Sequence, residues 1–299
     1  MSELQAVSQG MAEVVKTVNS SIVRIDARKR VPATGVVWST EGVIVTSHHV
    51  VRRDENISVG LADGTTVGAT LVGRDPTTDV AVLQLNDGEL TTPTWQSFAD
   101  DAVGVGQLVL ALGRPHRTVQ ASLGIVSALD GNWRTPSGGQ VDHYLQPDLV
   151  MYPGFSGGPL VSANGTVLGI NTSAILRGNP ITIPTPTISR VVDALLAHGK
   201  IQRGYLGVST QPVRLPANLA EALGQKTGLL LASVEPNSPA EKGGLLLGDT
   251  VVGLNETVIR HHDDLLAYLN GGRIGAKVVV KIIRGGQHQE VGVVVGERT

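Results

Sequence analysis

The chain has 299 residues, 41% of them hydrophobic, and a formal net charge of −2. That length exceeds what one compact core usually holds, so two domains are expected, and the apolar content excludes wholesale disorder. The lack of cysteine excludes disulfide and thiolate chemistry, and the charge balance supplies no basic field for nucleic acid.

In chain order, Val7, Met11, Val14, Val15 and Val18 recur at helical spacing, so residues 1–19 read as one amphipathic helix. Met1 to Gly10 lacks the basic start and apolar core of a signal peptide, and no apolar run approaches the ~20 residues that span a bilayer. The expected location is the cytoplasm for a full-length chain, or outside it if a leader has been removed. A β-rich stretch follows. Ser21–Ala27, Gly35–Ser39, Val43–Thr46, Ile57–Leu61, Thr66–Val72, Val80–Leu85, Gln107–Ala111 and Leu123–Leu129 are short and rich in Val, Ile and Thr, with turn residues between them. Strands without intervening helices predict an antiparallel sandwich or barrel. Ile188–His198 breaks the rhythm with apolar residues on one helical face and Gly199 placed to stop the helix. The domain boundary is expected between Gly199 and Gly204. Beyond it come further strands and one helix, Asp263–Asn270, with Asp263 as its cap and Gly271-Gly272 closing it.

Gly154-Phe155-Ser156-Gly157-Gly158-Pro159-Leu160 is the segment richest in chemistry. A serine between glycines can sit on a tight turn with its hydroxyl exposed, while neighbouring backbone N–H groups converge on one point. A developing oxyanion needs such donors. Serine also needs a base, and the base an orienting carboxylate. Thr46-Ser47-His48-His49-Val50-Val51 and Asp75-Pro76-Thr77-Thr78-Asp79-Val80 adjoin apolar strands, but composition and spacing alone do not select a base or an acid from them.

These three segments together resemble, in order, the signature blocks of trypsin-like serine proteases, specifically the HtrA (Deg) family. The resemblance implies His49 as the base, Asp79 as the residue that orients it, and Ser156 as the nucleophile. It also implies that the N–H groups of Gly154 and Ser156 form the oxyanion hole. The expected fold is mainly β: a chymotrypsin-like double antiparallel β-barrel over residues 20–199. The same serine segment matches the G-x-S-x-G elbow of α/β-hydrolases, but that elbow needs a helix directly after the serine. Here Pro159, Leu160 and Val161 continue as a strand and Asn164-Gly165 makes a hairpin turn.

The family places the base of the primary specificity pocket six residues before the nucleophile, here Val150. An apolar base cannot neutralise a buried Lys or Arg, so cleavage after small or medium aliphatic residues is expected. Thr172-Ser173-Ala174 matches the strand that pairs with substrate backbone. Phe155 stands where the family usually has Asn, and is open to contact with a leaving-group-side substrate residue or to packing against its own loop. Ile181–Pro186 carries two prolines where the family runs through Gly and Phe. The early chain lacks the aromatics that often support trimers, which weighs on the expected homo-oligomer.

Gly204-Tyr205-Leu206-Gly207-Val208 resembles the carboxylate-binding loop of PDZ domains in bacterial proteases, with further matches at Pro239-Ala240, Gly244-Leu245, Leu247-Gly248-Asp249 and Asp264-Leu265. A smaller α+β PDZ domain is therefore expected over 204–299. Tyr205, Leu206, Gly207 and Val208 would bind a peptide C-terminus as an added edge strand. No Gly-x4-Gly-Lys-Ser/Thr loop is present, and the His48-His49 and His261-His262 pairs lack metal-ligand spacing, so neither nucleotide nor metal is expected. The implied function is an ATP-independent endopeptidase acting on unfolded or misfolded proteins. The alternative is a chaperone-like scaffold with a latent protease domain.

Overall fold

The computed structural model describes residues 2–88, 90–98, 103–176, 179–269 and 273–297. The chain divides into two units, residues 1–201 and 202–299. In the first, helix α1 (Glu3–Val18) leads into β1 (Ile22–Asp26), β2 (Ala33–Val37), β3 (Val43–Ser47), β4 (Ile57–Gly60), β5 (Thr66–Asp75) and β6 (Val80–Leu85). These six strands close into a barrel in the order β1-β2-β3-β6-β5-β4.

A second six-stranded barrel follows. It comprises β7 (Leu108–Gly113), β8 (Gln120–Asp130), β11 (Tyr144–Asp148), β12 (Pro159–Ser162), β13 (Val167–Thr172) and β14 (Ile181–Pro184), closed as β11-β14-β13-β12-β7-β8. A two-stranded ribbon, β9 (Trp133–Arg134) and β10 (Gln140–Val141), interrupts the sequence. Every pairing within the barrels is antiparallel. The mainly β, chymotrypsin-like double barrel expected from the sequence is the fold observed.

Why the strands read as unbroken apolar runs follows from the two-residue period of a strand. In β3, Ile44 faces the first barrel's interior with Val23, Ile25 and Leu83, while Val43 and Val45 face outward. In β6, Ala81 and Leu83 point in while Val80 and Val82 point out. The outward set packs against Ile170, Ile181 and Ile183 of the second barrel. Both faces are therefore covered, and a seam forms between the barrels.

Helix α2 (Thr185–His198) closes this seam with Ile188, Val191, Val192 and Leu195. It starts three residues before the apolar periodicity begins, because Pro186 is tolerated in a first turn. Gly199 ends it at φ +70°. On the far side, Val14 and Val18 of α1 pack on Ile22, Leu110, Leu112 and Val161.

The second unit has a sheet in the order β16-β17-β18-β20-β21, with β16 (Val208–Arg214), β17 (Thr227–Val234), β18 (Thr250–Leu254), β20 (Lys277–Arg284) and β21 (Gln287–Val294). A short strand, β19 (Thr257–Val258), pairs with β18, and β15 (Gly204–Tyr205) pairs with β22 (Gly296–Glu297). Helices α3 (Ala217–Leu223), α4 (Pro239–Gly243) and α5 (His262–Leu269) accompany them. Leu229, Leu231, Leu245, Leu265, Tyr268 and Val280 share one core. Helix α5 begins one residue before the expected Asp263. It is the Asp264 carboxylate that accepts from the N–H groups of Arg260 and His261, at 2.8 and 3.3 Å. Asn270, Gly271 and Gly272, expected to close that helix, lie outside the described residues.

Candidate active site and peptide groove

β3 delivers its last residue into a 3₁₀ turn, His48–Val50, and this turn is gripped by Asp79. The Asp79 carbonyl accepts from His48 N–H at 2.9 Å. Its carboxylate Oδ1 accepts from His49 N–H at 2.8 Å, and Oδ2 sits 2.8 Å from His49 Nδ1. Asp79 holds φ +58°, a left-handed conformation that Asp adopts more readily than most side-chain-bearing residues. An ionised carboxylate only accepts, so Nδ1 carries the proton of the neutral imidazole and Nε2 keeps its lone pair. Thr172 Oγ1 donates to the same Oδ2 at 2.5 Å, so the carboxylate is held from both barrels.

The serine segment forms two successive turns. Phe155 N–H donates to Tyr152 O at 3.0 Å across Pro153 and Gly154, and Gly158 N–H donates to Phe155 O at 2.8 Å across Ser156 and Gly157. Gly154 and Gly157 have φ of +92° and +84°. A proline followed by a left-handed glycine is the pairing a type II turn prefers. Gly157 is also hemmed in: a Cβ there would lie 2.2 Å from Thr34 O and from Thr46 Oγ1. Gly157 N–H is spent on Asn171 O at 2.8 Å. Among the described residues, the N–H groups of Gly154 and Ser156 have no acceptor. They are the two donors that the family resemblance implies for an oxyanion.

Ser156 and His49 line one open cleft of about 320 Å³, together with Arg28, Arg30, Tyr152 and Ser173. Ser156 Oγ hydrogen-bonds Ser173 Oγ at 3.3 Å, and among the described residues it makes no hydrogen bond to His49.

In the second unit, the segment Tyr205–Val208 leads into β16, which lies at the edge of its sheet. Leu206 is buried and its carbonyl accepts from Ala240 N–H at 2.8 Å, while Gly207 O accepts from Glu235 N–H at 2.8 Å. The Tyr205 hydroxyl hydrogen-bonds the Glu235 carboxylate. Among the described residues, the N–H groups of Leu206 and Gly207 have no acceptor. His262, first residue of α5, reaches across to Thr210 O of β16 with its Nε2 at 2.8 Å.

Two domain families match the chain: a trypsin-like peptidase domain over residues 33–170 and a PDZ domain over 204–295. A probable periplasmic serine endoprotease, DegP-like, from Rhizobium meliloti is 37% identical over 280 residues, covering 90% of this chain and 54% of its own. Its counterpart from Chlamydia trachomatis is 34% identical, with 91% and 55% covered. The chain thus spans about half the length of these curated relatives. The solved structure of the HtrA-type protease AlgW with a tripeptide has a TM-score of 0.76 and 30% identity, covering 96% of this chain and 97% of its own. The chain belongs to the HtrA family. A serine endoprotease from Yersinia pestis has the same fold, with a TM-score of 0.79, 27% identity and coverage of 96% of this chain and 98% of its own.

Within this HtrA chain the structure redistributes some of the expected site residues. Val150, expected at the base of a specificity pocket, is 56% exposed and does not line the cleft. Its N–H bonds Ser122 Oγ at 3.2 Å, which holds the backbone at the barrel surface, and the turn after it brings Met151 and Tyr152 to the cleft instead. Thr172 turns its side chain inward to Asp79, Ser173 reaches the cleft, and Ala174 is exposed with its N–H on Thr172 Oγ1 at 3.1 Å. Phe155 is fully buried among Val109, Leu145, Leu160 and Leu168, so it packs beneath the loop and is closed to substrate.

Thr34 of β2 carried no signal in the sequence. It is fully buried, donates from Oγ1 to Gly154 O at 2.7 Å and accepts from Arg114 N–H at 2.8 Å. Its partner Gly154 lies 120 residues away in the chain.

Proposed function

We propose that this chain is an ATP-independent serine endopeptidase that cleaves unfolded or misfolded polypeptides, and that its PDZ domain binds peptide C-termini for recruitment or regulation. The observation that carries the reading is the Asp79–His49 contact facing, in one cleft, a serine flanked by two uncommitted N–H donors. In this mechanism Ser156 Oγ attacks the peptide carbonyl and His49 Nε2 takes its proton, then returns it to the leaving amine. Asp79 stabilises the imidazolium and fixes its tautomer, with Thr172 holding the carboxylate in place. The Gly154 and Ser156 N–H groups receive the oxyanion, where a single donor is worth roughly 10²–10³ in rate. Preference for small or medium aliphatic residues rests on the apolar surface of Val31, Met151 and Tyr152 beside Ser156 rather than on Val150.

The PDZ reading is supported by the free Leu206 and Gly207 N–H groups at the head of an open sheet edge, suited to a carboxylate and an added strand. Among the described residues no helix is long and apolar enough to cross a membrane. The curated relatives quoted above are named periplasmic, which supports an extracytoplasmic location. The contact of Ser156 Oγ with Ser173 favours a second reading of the resting protein, in which the protease is latent until a ligand or substrate draws Oγ to His49.

The test is degradation of an unfolded protein without ATP, by the parent chain and by Ser156→Ala, with and without peptides ending in a free or an amidated carboxyl. Cleavage by the parent alone establishes the protease. Stimulation by free but not amidated peptides establishes the role of the PDZ loop. No cleavage under any condition, with retained peptide binding, moves the scaffold reading ahead.

A further inference from the structure

The wall of the cleft beside Ser156 carries a block of positive charge. The connection between β1 and β2 reads Arg28-Lys29-Arg30, and Arg28 and Arg30 both line the cleft. A second basic pair, Arg52-Arg53, follows the His49 turn. The two segments are tied together: Arg52 N–H donates to Ala27 O at 2.9 Å and the Arg53 guanidinium to Asp26 O at 2.8 Å. Two of the carboxylates beside these segments are paired with other arginines, while Glu55, next to Asp54, makes no ion pair among the described residues. Asp26 pairs with Arg24 at 2.9 Å, and Asp54 pairs with Arg74.

Among the described residues, Arg28, Lys29, Arg30 and Arg52 make no ion pair, and Arg28 Nε is occupied only by the neutral Val31 O at 2.8 Å. Burial, then the charges of Arg52 and Arg30, disfavour the protonated form of Arg28. A like-charge cluster held beside the reacting serine is destabilising by itself, and an anion bound among these groups offsets that repulsion.

We propose that this cleft contains a subsite for acidic side chains, so that the enzyme prefers scissile bonds with Asp or Glu within about three residues, the reach of an extended chain across a cleft of this size. The inference rests on the protease reading above and refines it. The neutral or aliphatic residue at the bond itself and the acidic neighbour are then read by different walls of the same cleft, Met151 and Tyr152 on one hand and Arg28 and Arg30 on the other.

The experiment uses the full chain and peptides with one aliphatic cleavage site. Gln, Glu or Lys is placed in turn at each of three positions on either side of the bond, and kcat/KM is measured at low and high salt. Glu is expected to exceed Gln by roughly 3–10-fold at one position or more, the gain of one or two partly exposed ion pairs, with Lys below Gln. The preference should fall toward unity in high salt. In Arg28→Gln the Glu-to-Gln ratio should drop, and in the solvent-exposed Arg30→Glu the order of Glu and Lys should reverse. A Glu-to-Gln ratio of one at every position, with the Gln peptides cleaved, overturns the inference and leaves the protease intact. A preference that survives unchanged in Arg30→Glu and Arg28→Gln overturns it as well. Failure to cleave any peptide, with a free-carboxyl peptide present to engage the PDZ loop, overturns the protease reading and the inference with it.

Discussion

Asp79 concentrates more of the site than any other side chain. Its carboxylate accepts a backbone N–H, a ring nitrogen and a hydroxyl, and its carbonyl holds the neighbouring His48 N–H. Thr172→Val removes one donor and keeps the shape. A hydrogen bond to a charged group is worth about 1.5–3 kcal/mol, so kcat should fall by about tenfold or more while KM changes little, measured on a cleavable peptide. His48 presents the opposite situation. Its Nδ1 is buried with no partner among the described residues, and burial lowers its pKa despite the opposing charge of Asp79. The folded state therefore binds this proton less readily than the unfolded chain. Stability is full above the ordinary histidine value of about 6.5 and is lost as pH falls from there toward the depressed folded value. Thermal unfolding between pH 7 and pH 5 should show a steeper loss for the parent than for His48→Asn. Equal slopes would contradict this assignment.

Where the serine loop meets the second barrel, one aromatic ring decides the packing. Phe155 lies so close to β7 that a Cβ on Gly113 would fall 2.4 Å from its ring. Gly113→Ala should cost about 1–3 kcal/mol through overpacking, and Phe155→Leu a comparable amount through lost volume. The double variant should cost less than the sum, read by chemical denaturation as a double-mutant cycle. Additive losses would mean that the two positions do not share the contact. The strands themselves were legible because Val and Ile runs buried on both faces leave few alternatives, as in β3 and β6. The interior of the loop was less so. Nothing local distinguishes a Phe that reaches into solvent from one that reaches into a core, and the choice is made by Gly113, far away in sequence. Val150 lies off the cleft for the same reason: its count from Ser156 fixes its place on the chain, while the turns at Tyr152–Gly158 fix which residues face the cleft.

At the scale of the whole chain, the double barrel brings residues from distant segments to one seam. His49 comes from the end of β3, Asp79 from the turn before β6, Thr172 from the end of β13 and Ser156 from the turn before β12. The glycine-flanked serine could be read from its local pattern, while His49 and Asp79 were picked out by the resemblance of their blocks to the HtrA signatures. Thr34 and the Thr172 tie could not, since a lone threonine acquires its role only when closure of the barrels sets it against a partner 120 or 93 residues away. The central claim is that this seam activates Ser156 through His49. It is tested most directly by treating the full chain with a fluorophosphonate, in the presence of an unfolded protein and a C-terminal peptide, and locating the adduct by mass spectrometry. The account predicts a single label on Ser156 in the parent and almost none in His49→Ala. Labelling on another serine, or equal labelling of Ser156 in both proteins, would contradict it.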